Sequence, residues 1–339
     1  MRLLRHSSDV PAEARGAVVA IGNFDGVHLG HRAVIQTAGE IARRTNRPLA
    51  VLTFEPHPRS FFQPDQPPFR LTPYRVKARH IAALGVDFLF VLRFDAGFSR
   101  QSADDFVDRL LVDDLGISHV VVGEDFRFGR DRVGDAAFLR VRGEALGFGA
   151  TAVAPVAGPT GETYSSSRIR ACLRAGDACG AARSLGRFWE VEGRVEAGDR
   201  RGRTLGFPTA NLRLPDQLVP ATGVYAVRVG VMDGARIAWH DGVANFGNRP
   251  TVDDRGLLLE VHLFDFDGDL YDRHMCVAFI DYVRAERKFD GLDALAAQIA
   301  ADSAEARRRL GTAPIAGMAA TRGTGASGGP DEAGEESGL

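Results

Sequence analysis

Between residues 17 and 157 the chain alternates short apolar runs with amphipathic stretches. The runs are Ala17 to Ile21, Leu49 to Phe54, Phe88 to Leu92, His119 to Val122 and Thr151 to Val156. Runs without polar alternation are expected of parallel strands whose two faces are both covered by helices. The rhythm therefore predicts an α/β unit with a parallel sheet and crossover helices, one of them from Arg32 to Thr45, and ligands at the carboxyl ends of the strands. After about Leu185 the period changes. Trp189 to Val195 and Val224 to Val229 alternate, Val231 to Ile237 carries an Asp-Gly hairpin signal, and Leu257 to Phe264 runs into the turn Asp265 to Asp269. These strands predict a small closed antiparallel barrel. Leu292 to Leu310 reads as one amphipathic helix with Leu292, Leu295, Ile299 and Leu310 on its buried side. From about Thr312 Gly, Ala, Ser and Glu dominate, and 312–339 is expected to be a disordered tail.

At 339 residues the chain exceeds the size, about 250 to 300 residues, at which single cores stop growing. Two domains are expected, 1–184 and 185–311. A hydrophobic share of 45%, a charged share of 25% and a net charge of -2 describe an ordinary globular protein and single out neither nucleic acid nor membrane as partner. The polar segment Met1 to Val10 and the lack of a long apolar run predict a cytoplasmic protein. Cys172, Cys179 and Cys276 are too scattered for a disulfide framework. Lys77 and Lys288, the two lysines, follow no Gly-rich turn, which excludes a Walker-type phosphate loop.

The first candidate site is Gly22-Asn23-Phe24-Asp25-Gly26-Val27-His28-Leu29-Gly30-His31, between a predicted strand and a predicted helix. A helix start offers unpaired amides and the positive end of a dipole, and glycines allow close approach of an anion such as a nucleotide phosphate. Histidines three apart share a helical face and can donate to phosphate oxygens. A zinc site or a purely structural histidine pair would use the same spacing, although no third ligand lies near.

The ten-residue motif resembles the signature of the bacterial bifunctional riboflavin kinase and FAD synthetase family, and further matches follow in order to about Leu310. The resemblance implies a Rossmann-like nucleotidyltransferase domain followed by a β-barrel riboflavin kinase domain. It implies ATP, riboflavin, FMN and FAD as substrates and products, and Mg2+ as the metal. His28 and His31 would hold the ATP phosphates, with Gly22, Asn23, Phe24, Asp25 and Gly30 lining the nucleotide. Phe54 to Pro58 would place His57 near the flavin, and Val122 to Gly129 would set Asp125 and Phe126 against the flavin nucleotide. A plain turn is the simpler account of the proline-rich loop.

Tyr164-Ser165-Ser166-Ser167-Arg168-Ile169-Arg170 opens another helix. Serines are ordinary caps, but arginines in a first turn oppose the dipole unless an anion compensates. By resemblance Ser166, Ser167 and Arg170 contact phosphates, with Arg170 reaching outward as the phosphate arginine. In the second half, Arg201 to Asn211 resembles the kinase signature, which assigns Gly206 and Pro208 to ATP and Thr209 and Asn211 to ATP and magnesium. Glu260 is implied as the base for the ribityl 5′-hydroxyl. Asn245 and Arg249 would order the nucleotide loop, and Arg284, Glu286 and Phe289 would face the flavin, where a solvated strand end is the alternative. Asp272 replaces a frequent glycine in the acidic turn. The rival functions are a nucleotidyltransferase for another phosphorylated acceptor and a noncatalytic flavin- or nucleotide-binding module.

Overall fold

The computed structural model describes the chain except residues 9, 197–206, 214–216, 234–235, 249–256 and 314–339. The first half is a six-stranded parallel sheet. Its strands are β1 (Arg2–Leu4), β2 (Val18–Ile21), β3 (Leu49–Glu55), β4 (Phe88–Arg93), β5 (His119–Gly123) and β6 (Gly149–Val153), in the order β1-β4-β3-β2-β5-β6. The order reverses between β2 and β5, so the crevice above that pair is the switch point where such sheets bind ligands. The helices are α1 (Leu29–Thr45), α2 (Pro58–Phe62), α3 (Tyr74–Ala82), α4 (Ala96–Ser99), α5 (Ala103–Asp105) running into a π-helical stretch Phe106–Asp114, α6 (Ala136–Leu146), α7 (Ser166–Arg174) and α8 (Ala178–Leu185).

Alternate residues of each central strand enter different cores. Val19, Ile21, Leu52, Phe90, Val120 and Val122 pack with Phe106, Leu110 and Leu139 on one face. Val18, Ala20, Val51, Leu89 and Val121 pack with Ile35, Ala38, Ile41 and Ile81 on the other. Burial on both faces explains why these strands are uniformly apolar.

The second half is a closed antiparallel barrel, β10-β11-β8-β7-β12-β9, built from β7 (Trp189–Glu196), β8 (Ala210–Arg213), β9 (Gly223–Asp233), β10 (Arg236–Asn248), β11 (Leu257–Leu263) and β12 (His274–Arg284). Its interior holds Trp189, Val191, Leu212, Tyr225, Val227, Phe246, Leu259, Val261 and Phe279, and this core continues into Leu71, Ile169, Leu173, Ala181 and Leu185 of the first half. A last helix, α9 (Leu292–Thr312), covers the outer barrel wall through Ala306 and Leu310.

Both expected architectures are present, with local differences. Leu292 is exposed at 66%, and the buried positions of α9 are Asp302, Ala306 and Leu310. Asp302 is buried because Arg284 closes on it with two bonds, Nε to Oδ1 at 2.8 Å and Nη2 to Oδ2 at 2.6 Å. α1 starts three residues earlier than the periodicity indicates, β6 begins at Gly149, and β1 is a parallel edge strand of three residues, too short to stand out as an apolar run. Asp272 adopts φ 60°, the left-handed backbone that favours glycine. The tail expected at 312–339 lies outside the described residues beyond Ala313.

Candidate active sites

The motif loop leaves β2 at the switch point. His28 caps α1, with its Nδ1 accepting the His31 N–H at 3.3 Å, and the two imidazoles stack with centroids 3.6 Å apart. Acceptance at Nδ1 leaves the other ring nitrogen of neutral His28 as the donor. Burial lowers the His28 pKa to about 4, with Arg187 and Arg170 acting in the same direction against Asp25. Burial and the neighbouring His28 hold His31 well below its usual value. Both rings are therefore neutral near pH 7, which suits hydrogen-bond donation rather than a fixed positive charge. The His31 Nδ1 is buried with no partner among the described residues. At Gly30 a Cβ would sit 3.1 Å from the His28 ring and 3.3 Å from the Tyr164 carbonyl, so a side chain would push on the stacked pair.

The loop residues divide by depth. Asn23 is exposed, while Phe24 is 1% exposed and sets its ring edge-on to His31 at 5.3 Å. Asp25 is only 3% exposed. Its carboxylate accepts the Leu71 N–H at 2.9 Å and the Thr72 N–H at 3.1 Å, and pairs with Arg170 Nη2 at 2.6 Å. Arg170 also donates to the Phe69 carbonyl at 2.9 Å. The expected outward arginine therefore turns inward, because a buried carboxylate waits for it; Arg168 is the exposed arginine of that turn. Ser165 caps α7, Ser166 donates to the Asp25 carbonyl at 2.7 Å, and Ser167 is exposed.

Lys77, absent from the sequence expectations, lies 3% exposed behind this loop, donating to the Asn23 carbonyl and Thr53 at 3.3 Å and pairing with Glu55 at 2.9 Å. Its isolation as the single lysine of the first half was the available signal.

His57 caps α2 by accepting the Arg59 N–H at 3.0 Å and packs edge-on to Phe69; burial lowers its pKa to about 4. From the same loop an aromatic chain runs across the strand ends: Phe61 and Phe62 meet Phe94, Phe94 meets Phe98, Phe98 meets Phe106, and Phe106 meets Phe128, which stacks on Phe126. Phe62 is 63% exposed. The chain joins the His57 loop to the loop bearing the exposed Asp125, a connection that no local pattern announces.

In the barrel, strand register sets Asn211 opposite Glu260 and Glu260 opposite Asn245, across β8, β11 and β10. Directly paired residues share a face, so three polar side chains form a row while Leu212, Leu259 and Phe246 face the interior. Asn211 is 6% exposed, and its Oδ1 has no hydrogen-bond partner among the described residues. Thr209 and Pro208 are exposed, and the Pro208 carbonyl accepts from His262 Nδ1 at 2.8 Å. Asn245 Nδ2 reaches Glu286 Oε1 at 3.5 Å. Arg284 is taken up by Asp302, and Phe289 lies under the guanidinium groups of both Arg284 and Arg287. Gly206 and Arg249 lie outside the described residues.

The two halves of this geometry match two families of transferase: the family model for FAD synthetase covers residues 10–168 and that for riboflavin kinase covers residues 185–310. The protein from Pseudomonas fluorescens named bifunctional riboflavin kinase/FMN adenylyltransferase is 46% identical over 91% of this chain and 97% of its own length. Its namesake from Escherichia coli K12 is 43% identical over 92% and 98%. A crystal structure from Streptococcus pneumoniae, described as a macrolide-efflux protein, aligns with a TM-score of 0.80 at 30% identity over 90% of this chain and 98% of that one. Among the described residues no helix is long and apolar enough to cross a membrane.

The chain belongs to the bifunctional riboflavin kinase/FMN adenylyltransferase family, a family of ATP-using transferases.

Proposed function

We propose that the barrel phosphorylates riboflavin and that the first half adenylylates the resulting FMN, with the domains dividing near residue 185. The row Asn211, Glu260, Asn245 carries the kinase assignment, because it sets one carboxylate between two amides on adjacent strands. Glu260 accepts the proton of the ribityl 5′-hydroxyl as the γ-phosphoryl group passes from ATP to that oxygen and ADP leaves. The unpartnered Oδ1 of Asn211 beside Thr209 fits a hard divalent cation, and these two residues would hold Mg2+, which supplies charge neutralisation on the phosphates.

In the first half the neutral His28 and His31 donate to ATP phosphate oxygens, stabilising charge as FMN phosphate attacks the α-phosphorus and pyrophosphate leaves. Arg170 positions Asp25 and through it the loop. The aromatic surface of Phe62 and Phe94 gives the isoalloxazine ring a stacking platform, with His57 on the loop that bears Phe62 and the ring chain through Phe98, Phe106 and Phe128 leading from it toward Phe126 and Asp125.

A chromatographic time course with riboflavin, ATP and Mg2+ should show FMN followed by FAD; neither product would refute the reading. Glu260→Gln should lower FMN formation by about 10²- to 10⁴-fold while leaving FAD formation from supplied FMN intact. Equal kinase rates for variant and wild type would remove Glu260 as the base.

A further inference from the structure

The first active-site loop is gripped by an arginine from the kinase side of the chain. Arg187 stands between α8 and β7, and its guanidinium reaches back to the motif loop. Nη2 donates to the Gly26 carbonyl at 2.7 Å and Nη1 to the Val27 carbonyl at 3.2 Å. Nη1 also lies 3.4 Å from the Leu185 carbonyl, and Nε donates to His80 Nε2 at 3.1 Å. The two loop carbonyls immediately precede His28, the cap of α1. Gly26 has φ 91° and Val27 φ 42°. A β-branched residue in the left-handed region is strained and persists only where its surroundings impose it. Arg187 is such a surrounding, since one planar fork fixes two successive carbonyls in direction as well as distance.

A second connection acts on the same loop. Trp189 Nε1 and Gln217 Nε2 both donate to the Leu71 carbonyl, at 2.9 and 3.0 Å, while the Leu71 N–H bonds Asp25. The second half of the chain therefore holds the motif loop directly through Arg187, just before β7, and indirectly through Leu71.

We infer that Arg187 is a positioning residue for adenylyl transfer, orienting His28 through the Gly26 and Val27 carbonyls, so that the kinase half is a structural part of the first active site. This rests on the reading that the His28–His31 loop is where adenylyl transfer occurs.

The test uses the full-length protein and measures FMN to FAD and riboflavin to FMN separately in each preparation. Arg187→Ala should lower kcat for FAD formation at least about tenfold, with KM for ATP changing less than about threefold and kinase activity staying within about twofold. Added ethylguanidinium should restore part of that kcat. Arg187→Lys, whose ammonium can serve one carbonyl but not the fork, should fall between wild type and Arg187→Ala, and it carries the test if Arg187→Ala does not fold. Wild-type FAD formation in both variants, parallel loss of both activities, or a rise in KM alone would each overturn the inference. His28→Ala separates the two ideas: full FAD formation by that variant would defeat the reading of the site, whereas an inactive His28→Ala beside a fully active Arg187→Ala would defeat only the clamp.

Discussion

Arg170 Nη2 and Asp25 Oδ2 lie 2.6 Å apart, with the two side chains 10% and 5% exposed. The pair joins α7 to the motif loop 145 residues earlier, and the Leu71 and Thr72 N–H groups complete the carboxylate's partners. Removing one member of a buried pair leaves the other charge without compensation, at a cost of about 3–5 kcal/mol. Asp25→Ala should therefore lower stability by that amount in urea unfolding and abolish FAD formation. Asp25→Asn, which retains an acceptor for the amides, should lose less. Unchanged unfolding and unchanged FAD formation in Asp25→Ala would show that the pair holds nothing in place.

The proposed flavin platform is tested by Phe62, whose ring is 63% exposed and edge-on to Phe94 at 5.7 Å. Loss of an aromatic contact of this kind is worth about 0.5–1.5 kcal/mol. Phe62→Ala should raise KM for FMN about two- to tenfold in adenylyl transfer, while Phe62→Tyr stays close to wild type and riboflavin phosphorylation is unaffected. An unchanged KM would place the isoalloxazine ring elsewhere.

Hydropathy reveals the fold better than it reveals these partnerships. The runs containing Val51 and Val121 were legible as strands because both sheet faces are buried, and the switch at Leu185 was legible because the period itself changes. Arg2–Leu4 was invisible, being short, partly polar and paired only with β4. Asp302 and Arg170 escaped for a common reason. A charged residue reads as exposed until its partner is known, and Arg284 and Asp25 lie outside the helices that carry Asp302 and Arg170. The row Asn211, Glu260, Asn245 needed register, since the motif supplies residue types but not which strands become neighbours. The Phe62 to Phe126 chain likewise draws its members from separate strand ends.

Acid should loosen the junction between the halves through His80. Its ring is 8% exposed, and its Nε2 accepts from Arg187 Nε. Burial, reinforced by Arg187, Arg79 and Arg32, pushes its pKa down to about 2 from 6.5. Folded protein refuses the proton that unfolded chain accepts below pH 6.5, so this stability is complete above pH 6.5. It declines as pH falls toward 2, by about 1.4 kcal/mol per unit. Between pH 7.5 and 5.0 the histidine should account for a loss of about 2 kcal/mol. His28 and His57, each lowered to about 4, add losses of the same sign over that interval. Glutamine at position 80 keeps an acceptor for Arg187 but does not titrate. His80→Gln should therefore lose about 2 kcal/mol less than wild type over that interval, read from urea midpoints at the two pH values. Identical acid sensitivity in the two proteins would mean that His80 is protonated in the folded state and does not accept from Arg187.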